Sequence, residues 1–356
     1  MHFGLSEEAR ALRDATAGVL GAEVTPATVR AGWTAHADPG PAPGLVRDAW
    51  RKLAATGAAG TLVKEEAGGL GLDEACLVPV LEEAGRSGLP GPLAETIAVA
   101  APLLAQAPEA SRHLGGVLGG DVTAAAVLAG APGRDGALLV PYGQQADLVV
   151  LRAGGGVRLY ERGALPLEPC AATDGSRGLA RLAAAPCPSA GTLLTGDPAV
   201  IDAAWQRGAL ATAVLLNGLS ARMLDITVGY VKQREQFGQP VGSFQAVKHA
   251  LANALVAVEF ARPAALAAGW ALASGEPDAA ARVSTAKVLA ADAAGLVTRT
   301  AIQCHGAVGY TTEYDLHLFA KRAWALIPAW GSPQWHQDRL AVHLGLTDIP
   351  DSEDAQ

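Results

Sequence analysis

Residues 229–251 read GYVKQREQFGQPVGSFQAVKHAL. The run into Arg234 has the texture of a helix end, Gly238-Gln239-Pro240 breaks it, and Ser243-Phe244-Gln245 opens a second helix. An arginine at a helix end offers a planar fork of donors that suits a pyrophosphate. A glycine-containing turn lets backbone approach a phosphate closely. Phe237 or Phe244 can cover a flat ring, and Gln236 or Gln245 can hydrogen-bond it. Taken alone, Arg234-Glu235 is also an ordinary solvated charge pair. A second stretch, Gln303-Cys304-His305-Gly306-Ala307-Val308-Gly309-Tyr310, taken alone reads as a helix C-terminus with its glycine cap.

In this order and at this separation the two stretches resemble the flavin-contacting segments of the acyl-CoA dehydrogenase family. The resemblance extends to residues 60–105, above all Glu65-Glu66-Ala67-Gly68-Gly69-Leu70-Gly71 and Leu81-Glu82-Glu83-Ala84-Gly85-Arg86. It implies a mostly α, α+β fold with three parts. These are an N-terminal helical domain (residues 1–120), a small middle β domain (121–197, shortened) and a C-terminal helical bundle (198–356). It also implies FAD as cofactor, with Arg234, Gln236, Phe237, Phe244, Gln245, Gln303, His305, Gly306, Gly309, Ser332 and Gln334 at flavin-contacting positions.

The bulk numbers agree with a helical, multi-part chain. There are 356 residues, half of them hydrophobic, with a net charge of −8 and no basic run, which argues against a nucleic-acid partner. Cys76, Cys170, Cys187 and Cys304 have no CxxC spacing, so neither a metal site nor a disulfide framework is expected. The start, MHFGLSEEARALRD, has no basic segment leading into an apolar run, so no signal peptide is expected. No apolar run of about 18 residues is free of charges and helix breakers. A cytoplasmic protein without a membrane span is the expectation.

Along the chain, Ser6 is placed to cap a first helix, and Arg30 to Pro43 reads as a loop. Leu45 to Thr56 reads as an amphipathic helix, and glycines 68, 69 and 71 as a turn. Short apolar runs at Ala124 to Leu128, Ala137 to Val140, Ala146 to Arg152 and Val157 to Glu161 read as strands, with Gly154-Gly155-Gly156 a hairpin turn. Asp197-Pro198 starts a helix expected to reach about Phe237. Further helices are expected over Ser243 to Ala273, Asp278 to Cys304, Asp315 to Leu326 and Pro333 to Leu344.

Three departures from the family stand out: the middle-domain loop, the catalytic Glu and the short length of the chain. The middle domain lacks the Thr-Glu-Pro-x-x-Gly-Ser-Asp type loop that holds the flavin ring; Ala131-Pro132-Gly133-Arg134-Asp135-Gly136 stands in its place. Trp330 sits where the catalytic Glu of a Glu-Gly-Thr segment belongs. The alternative base position, on the first C-terminal helix, falls near Gly208, and residues 203–224 contain no carboxylate. No catalytic residue is therefore assigned. Glu235, Glu259, Glu313, Asp315 and Asp338 remain as weak substitutes, and His249 and His305 could serve as bases by intrinsic pKa.

These departures resemble the base-less subunits of heteromeric α2β2 acyl-CoA dehydrogenases, whose partner chain supplies the Glu. The expected substrate is an acyl-CoA or acyl-carrier thioester, desaturated to a 2-enoyl thioester. The alternatives are a self-sufficient homo-oligomeric flavoenzyme, with a relocated base or oxygen-using chemistry, and a non-catalytic scaffold subunit.

Overall fold

The computed structural model describes residues 4–33, 43–129 and 137–346. Helix α1 (Glu7–Glu23) starts as expected: the Ser6 hydroxyl accepts the Ala9 N–H at 3.1 Å. Helix α2 (Pro26–Trp33) occupies the beginning of the stretch read as a loop. The rest of that stretch, up to residue 42, lies outside the described residues. Helix α3 (Pro43–Ala55) buries Trp50, whose indole N–H donates to the Pro90 carbonyl at 2.8 Å. The glycine-rich turn follows, and Asp73 caps α4 (Glu74–Ser87) through the Cys76 N–H. Next comes a buried helix whose first part, Ala94–Ala100, is π-wound and whose second is α5 (Ala101–Gln106). A short α6 (Leu114–Leu118) ends the N-terminal part.

The β region contains two small sheets. Strands β1 (Ala124–Val127), β3 (Leu148–Ala153), β4 (Gly156–Glu161) and β7 (Thr192–Thr195) form one, in the order β1-β3-β4-β7. Strands β2 (Leu139–Val140), β5 (Leu167–Pro169) and β6 (Ala180–Leu182) form the other, in the order β2-β6-β5. The β3–β4 hairpin turns on Gly154-Gly155, both at positive φ (59° and 78°), as a two-residue turn between antiparallel strands requires. The segment 131–136, which the sequence resemblance sets in place of a flavin-holding loop, lies outside the described residues.

Helix α7 (Pro198–Gln233) is the spine of the molecule. From Ala204 to Leu224 it is buried on almost every side, the signature of a core helix. It packs on α4 at two glycines: a Cβ on Gly218 would meet the Glu82 carbonyl at 2.1 Å, and one on Gly85 the Leu215 carbonyl at 2.4 Å. Helices α8 (Gln245–Ser274) and α9 (Ala279–His305) complete the bundle, with α10 (Leu316–Leu326) and α11 (Pro333–His343) across its end.

Helix α7 stops four residues short of Phe237. Arg234 turns extended, and Glu235–Gln236 (β8) pairs with Gln239–Pro240 (β9) around Phe237 and Gly238 at φ 54° and 78°. The break is thus a tight two-residue hairpin with both central residues left-handed. Pro240, which lacks an N–H, sits where no ladder donor is needed.

Helices α7 and α8 are both long and apolar enough to cross a membrane by composition. The apolar stretch of α7 is 83% buried inside the protein, against 33% for α8. Helix α8 also carries Glu259, Arg262 and Pro263 near its middle. It buries a narrow stripe of Ala254, Val258, Ala261, Ala265 and Ala268, and leaves Leu255, Val256 and Phe260 exposed at 49, 52 and 69%.

Candidate functional site

The two sequence stretches meet at one end of the bundle. Tyr230, one turn before Arg234, stacks on His305 with ring centroids 4.3 Å apart, and its hydroxyl donates to the His305 carbonyl at 3.4 Å. Tyr314 closes the cluster edge-on to Tyr230. His305 is buried, and its Nδ1 lies 2.7 Å from the Ala301 carbonyl. A carbonyl only accepts, so Nδ1 carries a proton; burial lowers the ring's pKa, and the bond to the Ala301 carbonyl works against that. Gly306 ends α9 at φ 63°, and Gly309 lets the following turn fold back on Ile302.

Around this cluster the remaining predicted residues face outward. Arg234, Gln236, Gln245 and Gln303 are exposed. Phe237 is 91% exposed and meets the half-buried Phe244 edge-on at 6.1 Å. Tyr310 is 79% exposed. Among the described residues the Arg234 guanidinium has no ion-pair partner. A donor fork, two aromatic rings and three amides therefore lie at one end of the bundle with little of this chain to contact. His249 is exposed on α8.

The second region lies inside the molecule, around Trp330. This residue adopts φ 55°, a left-handed conformation, and is 9% exposed. Its ring lies on bare backbone of α7: a Cβ on Gly208 would fall 2.5 Å from it. The two positions that the sequence resemblance singled out, 330 and 208, are therefore in contact, and the indole fills the space between them. The indole N–H points at the Glu95 Oε1, 3.4 Å away.

Glu95 comes from the π-wound segment and is 3% exposed. Burial raises its pKa, and the nearby Arg177 pulls the other way. Tyr142, at φ 61°, is also buried here; burial and then the Glu95 charge raise its pKa. The Arg177 guanidinium lies 5.6 Å from the Tyr142 ring centre and donates to the Ala325 carbonyl at 2.6 Å.

The turn carrying Trp330 is clamped from below. Lys287, fully buried, donates to the carbonyls of Ile327 (2.6 Å) and Gly331 (3.2 Å). Burial, reinforced by Arg177, pushes its pKa down to about 7. His336 has Nε2 3.0 Å from the Trp330 carbonyl and Nδ1 3.0 Å from the Ser284 hydroxyl. The carbonyl fixes the proton on Nε2, so Nδ1 accepts from Ser284, and burial holds the pKa at about 4. Ser332 spends its hydroxyl capping α11 through the Trp335 N–H, while Gln334 is exposed and donates to Asp338.

The carboxylates considered from sequence lie elsewhere. Glu235, Glu259, Glu313 and Asp338 are exposed, Glu259 paired with Arg262, and Asp315 is half-buried and paired with Arg30. Glu95 was the residue missed. Its signal was a single carboxylate in the apolar run Pro92 to Leu104, where an uncompensated charge is costly.

Comparison with known proteins identifies the family. The family model of the acyl-CoA dehydrogenase N-terminal domain fits residues 6–121, and that of the C-terminal domain residues 199–344. Acyl-CoA dehydrogenase IpdE2 of Mycobacterium tuberculosis is 34% identical over 235 residues, 66% of this chain and 67% of the relative. The chain belongs to the acyl-CoA dehydrogenase family.

The match to the IpdE2 of Mycolicibacterium smegmatis spans 60% of that protein. Two solved structures cover nearly the whole fold. One is from the ChsE4-ChsE5 complex of Mycobacterium tuberculosis, at TM-score 0.80 and 25% identity, covering 98% of this chain and 100% of that one. The other is a steroid acyl-CoA dehydrogenase, Tcur3481-Tcur3483 (G363A variant), at TM-score 0.81 and 26% identity, covering 95% and 98%. As a member of this family the chain is an oxidoreductase whose cofactor is FAD.

Proposed function

We propose that this chain is the base-less subunit of a heteromeric FAD-dependent acyl-CoA dehydrogenase, and that a partner chain supplies the catalytic Glu. The observation that carries this reading is the contact between Trp330 and Gly208. Both base positions of the family lack a carboxylate, and the volume between them is occupied by this chain's own indole. The two solved structures named above bear paired names, and one is called a steroid enzyme, which supports a partner chain and a bulky thioester substrate.

The exposed cluster fits one half of a flavin site shared between chains. Arg234 would hold the pyrophosphate with its fork of donors. Phe237 and Phe244 would cover flat ring surface, and Gln236, Gln245 and Gln303 would bond polar edges. His305 and Gly309 shape the turn, and Gly306 leaves its backbone open to a phosphate. Ser332 and Gln334 flank the Trp330 turn that closes this chain's inner cavity. FAD, when bound, would supply the redox chemistry, as the hydride acceptor for the thioester β-carbon. The α-proton would go to the partner's carboxylate, because among the described residues this chain presents none to an open pocket. The exposed stripe Leu255, Val256 and Phe260 on α8 supports an apolar surface covered by another subunit.

A second reading has one observation behind it. Glu95 is a buried carboxylate touching the Trp330 ring, so a self-sufficient enzyme with a relocated base would use it. Flavin per polypeptide separates the two. The heteromer reading expects almost no flavin on the chain purified alone and about one flavin per two chains once the partner is co-expressed. One flavin per chain without a partner overturns it and makes Glu95→Gln the next variant. No flavin even with the partner leaves a scaffold subunit.

A further inference from the structure

The Trp330 side chain is held as a ligand would be held. Its ring lies flat on the Gly208 backbone, where even a methyl group would come within 2.5 Å. Its one polar atom has one acceptor, Glu95 Oε1 at 3.4 Å. The backbone beneath it is fixed independently of the ring: His336 bonds the Trp330 carbonyl and Lys287 the Gly331 and Ile327 carbonyls. Left-handed φ at residue 330 is a conformation that glycine adopts at no cost, so the turn does not depend on the indole for its shape.

We propose that Trp330 is a built-in occupant of this chain's own reaction cavity, and that beneath it lies an intact binding site for a flat aromatic guest with a single N–H donor, recognised by Glu95. Calling this the reaction cavity rests on the subunit reading above; the site itself rests on the contacts alone. With the indole removed, the space would be lined by the Gly208 backbone and the Glu95 carboxyl, and a cavity of this kind takes up guests that match its shape and its polar group.

The test is Trp330→Gly in the full-length chain, titrated with indole by calorimetry and by thermal shift. Indole is expected to bind the variant at least tenfold more tightly than the wild type and to raise its melting temperature. 1-Methylindole, which fills the same shape without the donor, should bind about tenfold more weakly than indole, the worth of one buried hydrogen bond. Adding Glu95→Leu should erase that difference.

A folded Trp330→Gly chain that ignores indole overturns the site, and equal affinity for the two indoles removes Glu95 from it. Should Trp330→Gly not fold, refolding with millimolar indole is the readout: recovery of the native circular dichroism supports the site and no recovery overturns it. Trp330→Phe, which leaves a ring in place, should bind neither compound. None of these readouts needs flavin or a partner. The subunit reading can therefore fail on flavin content while the cavity stands, or the reverse.

Discussion

At the scale of single residues, Gly208 and Trp330 define each other. The indole reaches α7 only because residue 208 has no Cβ. Gly208→Ala forces the ring or the helix to move, and overpacking of this kind costs about 1–3 kcal/mol. Urea denaturation should show a lower midpoint with an unchanged slope; an unchanged midpoint would mean that the ring is mobile. His336 adds a pH dependence whose sign is set by its neutral state. Its folded pKa, about 4, lies below the free value near 6.5. Between those values the unfolded chain binds a proton that the folded chain does not, so stability falls as pH falls from 6.5 towards 4. The loss from this group should be about 2 kcal/mol between pH 7.5 and 5. His336→Gln should flatten that limb of the stability profile, and a limb unchanged in the variant would assign it to other groups. Glu95 marks where residue-level reading stopped. An isolated carboxylate in an apolar run is visible in sequence, but its partner, Trp330, is 235 positions away.

At the scale of elements, local chemistry fixed the helix ends and non-local contacts fixed the rest. Asp197-Pro198, Ser332-Pro333 and the left-handed Gly275 place the ends of α7, α11 and α8 because caps act over three or four residues. The end of α7 was misplaced by four residues because the β8–β9 hairpin depends on left-handed Phe237, a residue with no preference for that region. Strands β5, β6 and β7 were not anticipated; each has only three or four residues, too few to show a period. Helices α4 and α7 cross at Gly85 and Gly218, where a Cβ on either would run into backbone of the other helix. No side chain is available there to shift aside. Gly218→Ala should therefore fall at or above the upper end of the usual overpacking cost of about 1–3 kcal/mol, with the melting temperature as readout. A change below about 0.5 kcal/mol would show that the helices separate without loss, against the usual density of cores.

At the scale of the whole molecule, the inside is finished and one end and one face are not. The space between Trp330 and Gly208 is filled and its backbone clamped, whereas Arg234, Gln236, Phe237, Gln245, Gln303 and the α8 stripe face solvent. A protein that had merely lost a site would be expected to lose both halves. Retention of Arg234, both phenylalanines and the 303–310 turn makes sense if another chain uses them. Two substitutions separate the functions of that surface. Phe260→Lys puts a charge in the apolar stripe of α8 and should shift the co-expressed complex to separate chains in sedimentation, with each chain still folded. Arg234→Ala touches no apolar contact and should leave the assembly intact. Its effect should appear as faster flavin loss on gel filtration, because the fork that would hold the pyrophosphate is gone. A charge-assisted bond of this type contributes about 1.5–3 kcal/mol, so retention should drop at least tenfold. Full flavin content in Arg234→Ala would detach this end of the bundle from the cofactor. Dissociation by Arg234→Ala, with flavin retained on the partner, would make the hairpin a docking element instead.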